Sequence, residues 1–250
     1  MIRAAAALVA ALACVGADAE ERTPPAKLQV GTSVGHPWSG RLDTGIAMPT
    51  EGRHHRFTST TKKRGANFGS QALVALLLRA AGTVDHYVQS PPLVLGDLSR
   101  CGGGKLGGHK SHQAGRDVDI LFYVEDTQTQ VRRAAVGFYD FDAEGRCTKP
   151  ACRRLRFALR ENWWLVRTML WSKRPFVQYI FVADWLKARL LAYAEKRGEH
   201  PEILRRARKV LAQPRNSSPH ADHFHVRIYC TPEERARGCS DGGPRWDWVK

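Results

Sequence analysis

The chain has 250 residues, of which 43% are hydrophobic and 25% are charged. This composition excludes an intrinsically disordered chain and a protein embedded in a membrane. The length is sufficient for one domain with a substantial hydrophobic core. The formal net charge of +15 favours an anionic partner.

Residues 1–19 have the pattern of a secretory signal peptide. Arg3 precedes an apolar run from Ala4 to Ala17, and Ala17-Asp18-Ala19 matches a small-x-small cleavage site. We therefore expect the chain to be exported. The run is too short for a permanent membrane span, and no later stretch is long and apolar enough, so we expect no transmembrane segment. Nucleic acid, the usual partner of a basic chain, is not expected outside the cytoplasm.

Residues 20–36 are polar and contain Pro24-Pro25, so we expect a loose lead-in before one domain at residues 37–250. In chain order the domain's predicted elements are a helix at 71–81, a strand at 92–98, a glycine-rich loop at 101–108, a strand at 117–124, a loop at 140–153, a helix at 154–171, a strand at 177–182, a helix at 184–196 capped by Asp184, a helix from Pro201 and a strand at 223–229. These elements do not alternate as regular βαβ units, which predicts an α+β fold.

The cysteines of an exported chain are expected to pair. Cys147 with Cys152, and Cys230 with Cys239, are close enough in sequence to join local loops. Spacing alone does not prove this connectivity. Cys101 would then be the odd thiol. Cys14 faintly resembles a lipoprotein site, but simple cleavage after Ala19 is favoured.

Histidines concentrate in two short windows, residues 109–119 and 220–225, which hold five of the ten histidines. Residues two apart on a strand share a face. His223 and His225 therefore face the same side of one predicted strand, and Asp117 and Asp119 the same side of another. Two imidazoles and a carboxylate with one open position form a known catalytic zinc set, and a metal would explain why such polar groups meet on one sheet.

Two motifs carry a family resemblance. Ser111-His-Gln-Ala-Gly-Arg-Asp-Val-Asp119 and His220-Ala-Asp-His-Phe-His-Val-Arg227 closely resemble the penicillin-insensitive murein endopeptidases. That family belongs to a wider group of zinc peptidases that includes lysostaphin-type enzymes, D-alanyl-D-alanine peptidases and the hedgehog domain. Supporting matches are Trp38-Ser-Gly-Arg-Leu42, Gly96-Asp97-Leu98-Ser99 and the cysteines Cys230 and Cys239. The resemblance covers roughly residues 37–245.

The resemblance implies a periplasmic zinc endopeptidase that cuts peptide cross-links of peptidoglycan, of the D-alanyl–meso-diaminopimelyl type. It implies an α+β fold in which a small antiparallel sheet, flanked by helices and long loops, carries the metal. Its zinc ligands would be His112, Asp119 and His225. His223 would be the general base and His220 an active-site helper. His109 matches a further histidine that the family associates with additional metal.

Several alternatives remain open at this point. A D-alanyl-D-alanine-type carboxypeptidase would use the same metal set, and a zinc-holding module without catalysis would bind the wall only. Retention of His223 argues against the module. Asp117 could orient a ligand, although a solvated strand carboxylate is favoured. Arg116 and Arg227 are weaker candidates for binding a substrate carboxylate. The sequence does not specify an oligomeric state.

Overall fold

A computed structural model describes residues 31–249 of the chain. The predicted signal peptide and residues 20–30 of the predicted lead-in lie outside the described residues. The helices are α1 (Ser59–Arg64), α2 (Gln71–Val88), α3 (Leu159–Trp171), α4 (Asp184–Lys196), α5 (Pro201–Val210) and α6 (Pro232–Arg235), and a short 3-10 helix covers Pro150–Cys152. The strands are β1 (Thr32–His36), β2 (Ser39–Asp43), β3 (Ile46–Ala47), β4 (Glu51–Gly52), β5 (His55–Phe57), β6 (Phe68–Gly69), β7 (Leu93–Leu95), β8 (Asp117–Leu121), β9 (Tyr123–Asp126), β10 (Arg132–Ala134), β11 (Leu155–Phe157), β12 (Val177–Phe181), β13 (Leu211–Ala212) and β14 (His223–Ile228).

The main sheet has seven strands in the order β13-β12-β14-β8-β7-β5-β4. The pairs β12–β13 and β5–β7 are parallel, and the remaining neighbours are antiparallel. The smaller sheets are β1-β2, β3-β6 and β10-β9-β11. The predicted α+β class is confirmed. The sheet is larger and more mixed than expected, because edge strands of two residues, such as β4 and β13, are too short to show an alternating pattern.

The two central strands bury one face in the core, as their alternation predicts. Val118 and Ile120 on β8 and Phe224 and Val226 on β14 are at most 1% exposed. Phe224 packs edge-to-face on Phe122, with 4.7 Å between ring centroids. The polar residues of the same strands therefore project from the opposite face, where the candidate site lies.

Helix α2 begins at the predicted position and extends beyond the predicted end, to Val88. The Ser70 side chain caps it by accepting a hydrogen bond from the Leu73 amide. Its buried side consists mainly of leucine, valine and alanine. In the part of the chain that the structure describes, no helix is both long and apolar enough to cross a membrane.

Two predicted boundaries are wrong where a strand meets a neighbour that is distant in sequence. The helix predicted at 154–171 starts at Leu159, because the preceding residues form β11 and pair with β9. The strand predicted at 117–124 is divided at Phe122 into β8 and β9, which belong to different sheets. Local periodicity does not reveal either pairing.

The predicted cap of α4 is also wrong, although the helix has the predicted bounds. Ala183 occupies the N-cap position and makes no side-chain cap hydrogen bond. Asp184 is the first helical residue, where its negative charge still complements the helix dipole.

The folded region begins earlier than the predicted boundary at residue 37. Strand β1 lies within the predicted lead-in and pairs with β2. Gly35 also bridges to Cys239, near the other end of the chain. A partner so far away in sequence explains why local composition suggests a loose segment.

The two local disulfides expected from the sequence are present. Cys147 pairs with Cys152, and Cys230 pairs with Cys239, with Cα–Cα distances of 5.7 and 6.0 Å. Cys101 is disulfide-bonded too, so the expectation of an odd thiol is wrong. Sequence spacing indicates only local pairs and therefore missed this bond.

Candidate metal centre and catalytic cleft

Asp119 lies at the centre of the histidine cluster because β8 and β14 are antiparallel neighbours. His225 lies directly opposite Asp119 in the register of the two strands. Asp119 Oδ1 is 3.3 Å from His112 Nε2, 3.3 Å from His223 Nε2 and 3.5 Å from His225 Nδ1. The structure thus brings together the residues predicted as metal ligands and general base.

His112 is fixed by the loop that precedes β8. Its backbone has a positive φ of 67°, an uncommon conformation for histidine. The Asp117 carboxylate accepts the His112 amide N–H at 3.2 Å, and Ser99 Oγ donates to the His112 carbonyl at 2.5 Å. The imidazole Nδ1 donates to the Leu98 carbonyl at 2.7 Å. In the neutral ring, Nε2 is therefore left as an acceptor facing Asp119.

Whereas His112 turns its Nε2 towards Asp119, His225 turns its Nδ1 towards it. Its Nε2 donates to Asp117 Oδ1 at 2.9 Å, which leaves Nδ1 directed at Asp119. Burial lowers the pKa of His225 to about 4. The hydrogen bond that His225 donates to Asp117 raises the pKa, but by less than burial lowers it. A buried neutral imidazole is the form that binds metal.

Asp117 is fully buried, so the favoured expectation of a solvated strand carboxylate is wrong. Besides its bonds to the two histidines, it accepts a hydrogen bond of 2.6 Å from Arg227 Nε. Burial alone would raise the pKa of Asp117, but Arg227 and His225 hold it well below its usual range. The sequence offered this role only as the less favoured alternative, because Arg227 and His225 lie on a neighbouring strand.

The two arginines considered as substrate ligands have structural partners. Arg227 pairs with Asp117. Arg116 is fully buried and donates to Ser33, to the carboxylate of Asp241 and to backbone carbonyls, including that of Ser240. Arg116 is therefore not free to bind substrate. Arg227 also lines the cleft, so its contact with a substrate carboxylate stays a prediction.

The cluster contains buried polar atoms that protein groups do not satisfy. His112 Nε2 and Asp119 Oδ1 are buried without a hydrogen-bond partner among the described residues. Leaving such atoms unpaired costs roughly 1–3 kcal/mol each, and more for a charged group. Candidate ligand atoms of His109, His112 and Asp119 lie within 4.8 Å of one another, as do those of His220, His223 and His225. A cation held between His112 Nε2 and Asp119 Oδ1 would satisfy both of these unpaired atoms. The donor set therefore fits a metal such as zinc.

His223 is positioned by a carboxylate on each ring nitrogen. Nδ1 donates to Asp222 Oδ1 at 2.7 Å, and Nε2 faces Asp119 Oδ1. Burial lowers the pKa of His223, but the charge of Asp119 and the hydrogen bond to Asp222 outweigh it and raise the pKa to about 10. Because Asp222 fixes the tautomer, Nε2 is the nitrogen that can exchange a proton.

His220 lies beside His223 and His225, in the loop that precedes β14. Its ring centroid is 4.9 Å from that of His223 and 5.6 Å from that of His225. Nδ1 donates to the Ser218 carbonyl at 2.8 Å, and burial lowers the pKa of the ring. The structure therefore places His220 next to the predicted base, as a neutral imidazole.

His109 borders the cluster on the opposite side. Its Nε2 is 2.9 Å from Asp97 Oδ2, and its Nδ1 is 3.7 Å from Asp119 Oδ2. Asp97 also pairs with Arg64 at 2.7 Å and accepts a hydrogen bond from Thr61 at 2.8 Å. A role for His109 in holding further metal stays a prediction.

A cleft of about 820 Å³ exposes these side chains. Phe138 contacts His223 edge-on with ring centroids 5.1 Å apart, and Phe181 contacts His225 at 5.5 Å. Gly96 permits the close approach, since a Cβ there would lie 3.0 Å from Asp119 Cβ and 3.1 Å from the Phe138 ring. The sequence did not single out Asp222 or these aromatic rings; only the adjacency of Asp222 to His223 could have suggested it.

The fold and the site define a class of protein: an α+β domain with an open cleft and a buried histidine–carboxylate centre suited to a metal. A sequence model of the penicillin-insensitive murein endopeptidase family matches residues 33–245. The chain belongs to the penicillin-insensitive murein endopeptidase family, which confirms the resemblance of its motifs.

Individual relatives carry the same family name, penicillin-insensitive murein endopeptidase. One from Escherichia coli O157:H7 (strain EC4115 / EHEC) is 27% identical over 210 residues, and one from Escherichia coli O1:K1 / APEC is 28% identical over 203 residues. One from Shigella boydii serotype 18 is 26% identical over 210 residues. Each match covers 79% of this chain, and the chain spans 66% of the length of each relative.

Proposed function

We propose that this protein is a zinc-dependent endopeptidase that hydrolyses peptide cross-links of peptidoglycan, of the D-alanyl–meso-diaminopimelyl type. The observation that carries the proposal is the pair of unsatisfied buried atoms, His112 Nε2 and Asp119 Oδ1, beside the histidines of β14. Membership of the family, and the name that the relatives share, support an endopeptidase reaction on peptidoglycan.

His112, Asp119 and His225 would hold the zinc. Each of the two imidazoles donates its other N–H to a protein acceptor, Leu98 O or Asp117, and such bonds orient metal ligands and raise their basicity. Three protein ligands leave a coordination position open, as catalytic zinc sites require. When bound, zinc would polarise the scissile carbonyl and make an attacking water more acidic.

His223 would be the general base. A cation held by Asp119 would offset the negative charge that raises the pKa of His223, so that Nε2 is unprotonated and accepts the proton of the attacking water while Asp222 holds Nδ1–H. His223 then returns the proton to the leaving amine. Such proton transfer contributes about 10²- to 10⁴-fold to rate. His220, neutral and in contact with His223, would support this ring and shield it from bulk water.

The proposal includes export to the periplasm through the signal peptide at residues 1–19. Two disulfides are consistent with an oxidising compartment. The net charge of +15 suits a substrate whose peptides carry carboxylates.

The test is incubation of the purified protein with cross-linked muropeptide dimers, zinc-loaded and chelated. We expect monomers from the zinc-loaded sample, none after chelation, and recovery when zinc is restored. Pentapeptide monomers serve as a second substrate, because release of D-alanine from them would indicate a carboxypeptidase instead. Intact dimers with retained wall binding would indicate a module without catalysis.

A further inference from the structure

A second cavity, of about 410 Å³, lies beside the small sheet β10-β9-β11. Three arginines line it, Arg133, Arg153 and Arg154, with Asp126 as its one acidic lining residue among those described. We call this cavity the arginine pocket. Its composition makes it a positively charged recess in the surface.

One oxygen of the carboxylate in the arginine pocket already accepts three hydrogen bonds. Asp126 Oδ1 accepts the backbone amides of Gln128 and Thr129 at 2.9 and 3.1 Å, and Arg154 Nη2 at 3.1 Å. Arg133 is only loosely paired with it, at 3.6 Å. Within residues 31–249, the guanidinium of Arg153 has no carboxylate oxygen within 4.0 Å. Two guanidinium groups therefore have donors to spare.

These arginines stand on a fixed framework. Arg133 lies on β10 opposite Val124, and Arg154 immediately precedes β11. Arg153 is the C-cap of the 3-10 helix. The last residue of that helix, Cys152, is bonded to Cys147. A scaffold of paired strands and a disulfide limits the entropy lost when a ligand binds.

One short loop separates the arginine pocket from the catalytic cleft. Val136 and Tyr139 line the pocket, whereas Phe138 lines the cleft and contacts His223. Phe138 and Val136 are two residues apart, so their Cα atoms are at most about 7 Å apart along the chain. A peptide in the cleft can cross this loop within two or three of its own residues.

We propose that the arginine pocket is a substrate subsite that binds a carboxylate of the acidic stem peptide next to the bond that is cut. The inference rests on the proposed function and deepens it. Guanidinium groups bind carboxylates through paired, charge-assisted hydrogen bonds, and Arg133 and Arg153 have the donors to do so. The pocket selects peptides with a free carboxylate at that position.

The experiment compares the zinc-loaded wild type with the double variant Arg133→Gln/Arg153→Gln. Its substrates are muropeptide dimers with free carboxylates, and the same dimers after amidation. For the free dimer we expect the variant to raise KM about tenfold and to leave kcat within about twofold, since a charge-assisted contact is lost away from the reacting bond. On the amidated dimer the two proteins should have the same KM. Arg237→Gln, an exposed arginine that lines neither cavity, is the matched control.

An unchanged KM on the free dimer, in a variant with wild-type zinc content and circular dichroism, would overturn the inference. Calorimetric titration with the uncross-linked stem peptide, free and amidated, tests the pocket without turnover. The double variant should bind the free peptide about tenfold more weakly. If the wild type cleaves no dimer but still binds the free peptide more tightly than the double variant does, the proposed function fails and the subsite stands. If the two proteins bind the free peptide equally, only the subsite is refuted.

Discussion

Arg227 Nε donates a hydrogen bond of 2.6 Å to Asp117 Oδ1, and the two residues lie opposite each other on β14 and β8. The same oxygen accepts the N–H of His225, and the other carboxylate oxygen accepts the backbone amide of His112. One buried ion pair therefore orients two of the three proposed metal ligands. Because Asp117 is fully buried and holds both histidines, the ion pair is a determinant of metal affinity.

The substitution Asp117→Asn should weaken zinc binding about 10- to 100-fold, because His225 loses the carboxylate that fixes its tautomer. Competition with a chromogenic chelator measures the affinity. Asp43→Asn is the matched control, since Asp43 is exposed and pairs with Arg41. Wild-type affinity in a folded Asp117→Asn variant would contradict the role assigned to the ion pair.

The substitution His223→Ala should separate chemistry from metal binding. We expect zinc content to stay at the wild-type level and turnover of dimers to fall by about 10²- to 10⁴-fold, because the proton acceptor is lost. Elemental analysis and product chromatography measure the two quantities. His86→Ala, an exposed histidine on α2, should change neither. Loss of zinc in parallel with activity would make His223 a ligand instead.

The stability of the metal-free protein should depend on pH with a maximum near 6.5. His223 has a folded-state pKa raised to about 10 from 6.5, so the stability it contributes is complete below about 6.5 and is lost as the pH rises towards 10. His225, with its pKa lowered to about 4, has the opposite effect: stability is lost as the pH falls from 6.5 towards 4.

Urea unfolding of the chelated protein across this range measures that dependence. His223→Ala should flatten the decline above pH 6.5 and leave the acidic side unchanged. Zinc should also flatten the decline, since a cation compensates the charge of Asp119 that raises the pKa of His223. A wild-type curve that keeps rising between pH 7 and 10 would contradict this assignment.

The core below the site should be sensitive to loss of volume. Phe224 is 1% exposed and packs against Phe122 and Phe157. Phe224→Ala should lower the free energy of unfolding by about 3–5 kcal/mol, because it leaves a cavity under β14. Val136→Ala, at a side chain 70% exposed, should stay within about 0.5 kcal/mol of the wild type. Urea titrations measure both free energies of unfolding. Similar free energies for the two variants would show that packing of Phe224 does not stabilise β14.

Much of the candidate site follows from residue parity on two strands. Because residues two apart share a face, the sequence places His223 with His225 and Asp117 with Asp119, and the observed register joins the two sets. The buried faces follow from the same alternation.

The rest depends on contacts between residues that are far apart in the chain. The role of Asp117 required knowledge that Arg227 faces it, and the Asp97–His109 pair required the loop geometry before β8. Edge strands of two residues are too short to show an alternating pattern in the sequence. The pairing of β11 with β9 likewise has no local sequence pattern that predicts it. Such features arise from tertiary contacts, which override local patterns.

The most direct measurement is a crystal structure of the zinc-loaded protein with anomalous diffraction recorded at the zinc edge. We expect an anomalous peak about 2.0–2.2 Å from His112 Nε2, from a carboxylate oxygen of Asp119 and from His225 Nδ1, with His223 outside bonding distance. A peak held by other residues, or no peak while these three groups hydrogen-bond to one another, would contradict it.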